Sequence, residues 1–199
     1  MNATLQSLPT VVSLAEVVPE AVRWVWPGRV PLGKLTLLDG DPGVGKSAVL
    51  LDVAARVSRG GAMPDGTRGD VGGPAGVVLL TTEDGLADTV RPRLEAAGAD
   101  LARVVAVTGI PGGQGQGPRP VVLPRDWLEV ARVVARNRAR LVIIDPLMAY
   151  LDGMVNAYRD QDARQALLPL STLAEHTDAA IVVVRHLTKS AGGSACWRW

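Results

Sequence analysis

The chain has 199 residues, 47% of them hydrophobic and 21% charged, with a formal net charge of +1. That is long enough for one domain with a substantial core, and it gives no overall field to attract nucleic acid or an anionic membrane. One cysteine and two histidines exclude a disulfide framework and argue against a zinc site, and no apolar run reaches the ~18 residues a membrane span needs.

The first residues carry no basic region ahead of an apolar stretch, so no secretory leader is expected and a cytoplasmic location is. Residues 1–33 read as an N-terminal arm broken by Pro9, Pro19, Pro27 and Pro31, with a short helix expected over 16–26. Residues 34–199 read as one α/β core. KLTLLD (34–39) is a short strand closed by Gly40, and KSAVLLDVAARVSRG is a helix with Gly60 at its end. A loop over 64–76 leads to a buried strand, GVVLLTT (76–82). Residues 85–100 look helical with a bend at Pro92, and RVVAVT (103–108) is another strand. The stretch TGIPGGQGQGPRP (108–120) is expected to be a loop that no core fixes. RDWLEVARVVARNRA (125–139) is an amphipathic helix, with Arg132, Arg136 and Arg140 read as one solvated stripe. The strand RLVIIDP (140–146), a helix over 162–177 bent at Pro169 and the strand AAIVVVRH (179–186) complete the alternation.

Strands that are continuous apolar runs, alternating with helices, predict a mostly parallel sheet covered on both faces. Ligands of such sheets bind beyond the carboxyl ends of the strands. The chemistry is therefore expected just after Leu38, Thr82, Asp145 and Arg185.

Gly40, Asp41, Pro42, Gly43, Val44, Gly45, Lys46 and Ser47 match G-x-x-x-x-G-K-[ST] between a strand and a helix that continues through Ala48. The glycines let the backbone turn so that successive N–H groups face an anion, and the helix adds its positive end. Lys46 is the residue to reach β- and γ-phosphates, and the Ser47 hydroxyl is a ligand for Mg2+. Asp145, delivered by an apolar strand, is the matching metal anchor. Glu83, at the end of another strand, suits a general base, with Asp84 as its competitor and helix capping as that residue's alternative. His186 alone reads as a strand-end cap; beside Asp145 and Glu83 it reads as a γ-phosphate sensor. Trp24 and Trp26 either stack on a base or cover the sheet, the latter being the plainer role.

GDPGVGKS, TTEDG with RPRLEAAGAD, LVIIDPLMAYL, DARQALLPLSTLAE and VVVRHLTKSAGGSA together resemble RecA-like ATPases of the AAA family. The similarity points to the subgroup of plasmid RepA-type hexameric replicative helicases and spans residues 20–195. It implies a P-loop NTPase with ATP and Mg2+ held by Lys46 and Ser47, Asp145 as the Walker B carboxylate, Glu83 as catalytic base and His186 as sensor. It also implies Lys189 near a subunit interface, a homo-oligomeric ring of six, and single-stranded DNA as a partner. The ending CWRW departs from the family, so the core is expected to be incomplete before its last strand or strands. That leaves the edge of the 34–39 strand open unless residues 1–33 cover it, and a chain that binds ATP but turns over poorly and associates heterogeneously. Two other readings remain: a nucleotide-dependent binding module without hydrolysis, and a P-loop kinase, against which the HLTK segment argues.

Overall fold

The structure, a computed structural model, describes residues 11–113, 116–123, 125–151, 160–186 and 196–198, with side chains for all of these except 160–166, 186 and 196–198. The elements in chain order are β1 (Trp24–Trp26), β2 (Val30–Pro31), β3 (Leu35–Gly40), α1 (Lys46–Arg59), β4 (Gly76–Thr81), α2 (Arg91–Ala96), β5 (Val104–Ala106), α3 (Trp127–Arg136), β6 (Ala139–Asp145), α4 (Asp160–Thr177), β7 (Ala180–His186) and β8 (Cys196–Arg198). The main sheet runs β5-β4-β6-β7-β3-β8. Its first five strands are parallel and β8 is antiparallel to β3. This is a RecA-like P-loop α/β fold.

Each central strand is buried on both faces, which is why its sequence is a continuous apolar run rather than an alternating one. Val77 and Leu79 of β4 face a cluster built with Leu50, Val53 and Val57 of α1. Val78 and Leu80 of the same strand face a second cluster with Val130 and Val134 of α3 and Leu170 and Leu173 of α4. The period-two alternation thus divides one strand between two helical layers. α1 ends where expected, at Gly60, whose φ of 68° is left-handed and where an added Cβ would lie 2.7 Å from the Pro74 nitrogen.

Four expectations need correction. The helix over 16–26 is replaced by a 3-10 turn, Leu14–Glu16, and by strand β1. Pro19 lies inside that span and Pro27 disfavours α geometry at Trp26, while Trp24-Val25-Trp26 favours a strand. The β1–β2 hairpin buries Val25, Trp26, Val30 and Leu32 in the α1-side cluster. The glycine-rich loop is anchored: Ile110 is buried, and its N–H and C=O pair with Arg119 at 2.8 Å each. The arginine stripe loses Arg140, which lies on β6 and pairs with Asp178, while Arg132 and Arg136 stay exposed on α3. Finally, the edge of β3 is not open: Leu37, Leu38 and Asp39 pair with Arg198, Trp197 and Cys196 of β8.

Candidate functional site

Sheet order assembles the site. β3 leads into the glycine loop, its neighbour β7 ends at His186, and the next two strands, β6 and β4, end at Asp145 and Thr81. All four carboxyl ends share one edge, because the strands are parallel. In the β3–β7 register Gly40 lies opposite His186, and in the β4–β6 register Thr81 lies opposite Asp145.

Between Gly40 and α1 the backbone turns through Gly43 and Gly45, with φ values of 80° and 87°. An added Cβ would meet nothing within 4 Å at either position, so the constraint is conformational rather than spatial. Pro42, Gly43, Val44 and Gly45 are exposed, as is Ala48 in the first turn of α1, whereas Asp41 and Ser47 are half-buried. The turn therefore presents open backbone at the positive end of the α1 dipole.

Lys46 is 5% exposed. Its Nζ donates to the carbonyls of Gly40 at 2.8 Å and Asp41 at 2.7 Å. Burial pulls the ammonium below its usual pKa, while the charges of Asp145, Asp41, Glu83 and Asp39 oppose that shift. The cation is thus held by the loop's own carbonyls, with the charges of nearby carboxylates acting on it. A triphosphate, which offers charged oxygens in place of neutral carbonyls, suits this position.

Asp145 is 8% exposed at the end of β6. With Ser47, Thr81 and Asp84 it lines a cavity of about 20 Å³. A carboxylate and a hydroxyl on one small cavity are hard oxygen donors of the kind Mg2+ takes alongside phosphate and water, so the residues fit that ion. Among the described residues no group of three or more His, Cys, Asp or Glu side chains forms a metal cage.

Of the two candidate bases, Asp84 lines the cavity with Asp145. Glu83 is exposed and its charge acts on Lys46. Asp84 is half-buried and held by Arg93 at 3.0 Å. The backbone of His186 ends β7 beside the loop; its side chain, together with Lys189 and the rest of 187–195, lies outside the described residues. Trp26 is occupied: Nε1 donates to Asp65 at 2.9 Å and the Arg29 guanidinium lies 4.7 Å from the ring centroid. Arg119 is engaged by both oxygens of Asp126, at 2.6 and 2.7 Å.

Two features of this edge escaped the sequence. Asp39, 2% exposed, is paired with Arg185; an acid inside the apolar run LTLLD was the available signal. Tyr150 is 3% exposed beside Thr82 and Asp145, and burial pushes its phenol up to about 12. Only the tertiary fold brings it there.

A family model described as an AAA domain matches residues 2–192. No curated protein matches the chain. Among the described residues no helix is long and apolar enough to cross a membrane.

Proposed function

Because the chain belongs to the AAA domain family, matched over residues 2–192, we propose that it binds ATP at the 40–47 loop and hydrolyses it to ADP and phosphate. The observation that carries this reading is the Lys46 ammonium on the Gly40 and Asp41 carbonyls at the start of α1. It is joined at the same strand edge by Asp145 and Ser47 around one small cavity. The loop's backbone N–H groups and Lys46 hold the β- and γ-phosphates. Mg2+, held by Ser47 and Asp145, supplies charge compensation on the phosphate oxygens when bound. Glu83 orients the attacking water and accepts its proton as the γ-phosphoryl leaves ADP. Asp84 is a weaker candidate, because the ion pair with Arg93 at 3.0 Å engages its carboxylate and fixes its orientation. His186, on the strand between the loop and Asp145, is the sensor of the γ-phosphate.

In the finer reading this chain is a replication- or helicase-type ATPase that assembles with copies of itself as a ring on single-stranded DNA. It rests on the resemblance of HLTKSAGGSA and its companion motifs, not on a basic–aromatic track. Arg119, the cation of the described part of the glycine-rich loop, is committed to Asp126.

Two variants and one control test the site. Lys46→Ala removes charge-assisted contacts of roughly 1.5–3 kcal/mol, so ATP affinity by calorimetry should fall about 10- to 150-fold. Unchanged affinity would remove the phosphate-loop reading. Glu83→Gln should keep ATP affinity and lose about 100-fold or more in turnover, because the amide accepts no proton. If Asp84→Asn abolishes hydrolysis and Glu83→Gln does not, the base has been misassigned. Phosphate release with and without single-stranded DNA, alongside light scattering, tests the finer reading.

A further inference from the structure

Asp39 is the one acid in β3, one residue before Gly40 and 2% exposed. A carboxylate in that position is costly without close compensation. Arg185 compensates it: Nε donates to Oδ1 at 2.8 Å and Nη2 donates to Oδ2 at 3.0 Å. This is the two-pronged geometry that lysine cannot reproduce. The partners are 146 residues apart in sequence and directly opposite in the parallel β3–β7 register.

The next register pair is Gly40 with His186. Gly40 supplies one of the two carbonyls that hold Lys46 Nζ. The ion pair therefore ties the first residue of the phosphate loop to the strand end that carries His186, one residue away on each strand. Sheet stability alone does not call for it. Leu38 opposite Val184 holds the same two strands with apolar side chains, and apolar residues in place of a buried ion pair are often as stable or more so. The pair restricts geometry at the one place where the loop strand and the β7 end must stay level.

We propose that Asp39 and Arg185 form a positioning clamp, which keeps the phosphate loop and the carboxyl end of β7 in the relative placement that turnover requires. The proposal rests on the ATPase reading above. The clamp touches no substrate; it acts through Gly40 and the end of β7. Its loss should lower kcat while the loop still binds phosphate.

The test compares Arg185→Lys, Arg185→Met and the double variant Asp39→Leu/Arg185→Met with the wild-type chain. Thermal midpoint, affinity for a non-hydrolysable ATP analogue, KM and kcat are measured on the same preparations. Arg185→Met leaves a buried carboxylate without its guanidinium and should lower the midpoint. The double variant removes both charges and should regain most of that loss, yet kcat should stay about tenfold or more below wild type with analogue affinity within about threefold. Arg185→Lys keeps the charge and loses the second prong, and should show the same split to a smaller extent. If the double variant regains turnover together with stability, the pair is a structural crosslink and the proposal is overturned. Should the double variant not fold, Arg185→Lys decides: kcat reduced at unchanged affinity supports the clamp, and wild-type kcat overturns it. A wild-type chain that binds no ATP, with Lys46→Ala equally inert, overturns the ATPase reading and the clamp with it. Normal wild-type hydrolysis with indifferent clamp variants overturns the clamp alone.

Discussion

At the scale of single residues, three buried charges among the described residues are each held by specific polar partners. Lys46 is matched by loop carbonyls, Asp39 by Arg185, and Asp126 by Arg119. Asp126 is 4% exposed and accepts from Arg119, from Arg125 at 3.3 Å and from the Val122 N–H at 2.8 Å. The Arg119 guanidinium, first among these, holds the Asp126 carboxyl well below the usual carboxylate range. A folded-state pKa below the unfolded one means stability that is present above the ordinary aspartate value and lost as pH falls toward the folded value. Asp126→Asn should therefore destabilise the protein by roughly 1–3 kcal/mol at neutral pH. The difference between variant and wild type should shrink as pH is lowered below about 4. Urea unfolding at both pH values checks this; a gap independent of pH would mean that the carboxylate charge contributes nothing.

At the scale of elements, helix ends and interruptions are set locally but used by the tertiary structure. The C-terminal turn of α1 is tied to the turn after α2 by Arg59, whose Nη1 donates to the carbonyls of Ala97 and Gly98. The helix α4 runs Asp160–Thr177 with Pro169 inside it. Proline removes one backbone donor from the ladder and crowds the preceding turn. The neighbouring residues place it at a useful point: Leu168 is exposed, whereas Leu170 and Leu173 are fully buried against the sheet. Since Pro169 is half-buried, its ring adds little packing to offset that loss. Pro169→Ala should accordingly raise stability by about 1–3 kcal/mol without moving Leu170 from the core. A fall in the urea midpoint would show that the ring's packing outweighs the missing hydrogen bond.

At the scale of the whole molecule, the sheet's order decides what is protected and what is available. β3 is the strand that carries the phosphate loop, and β8 covers the side that β7 does not. An unpaired strand edge is a template for association. Deleting residues 196–199 should therefore increase light scattering in a concentration-dependent way, with the full chain as control. Equal scattering from both chains would mean that β8 does not protect β3. This pairing also removes the open edge from which poor assembly was expected.

The phosphate loop, its flanking strand and helix, and the apolar strands ending at Thr81, Asp145 and His186 were legible in the sequence because their causes are local. Glycine spacing dictates the turn, apolar runs dictate burial, and helical periodicity dictates α1 and α3. The parallel α/β class followed from continuous apolar strands alternating with helices. Other features depend on which strands become neighbours, a choice made by long-range packing. Asp39 and Arg185 meet across 146 residues. Tyr150 arrives beside Thr82. The loop read as unfixed is pinned at shorter range, by the Ile110–Arg119 bridge and by the Arg119–Asp126 ion pair. The first 33 residues lacked a legible strand pair because β1 and β2 span three and two residues, too short for a periodic signal. They are strands because Val25, Val30 and Leu32 find an apolar surface beside α1, and only the assembled core supplies that surface.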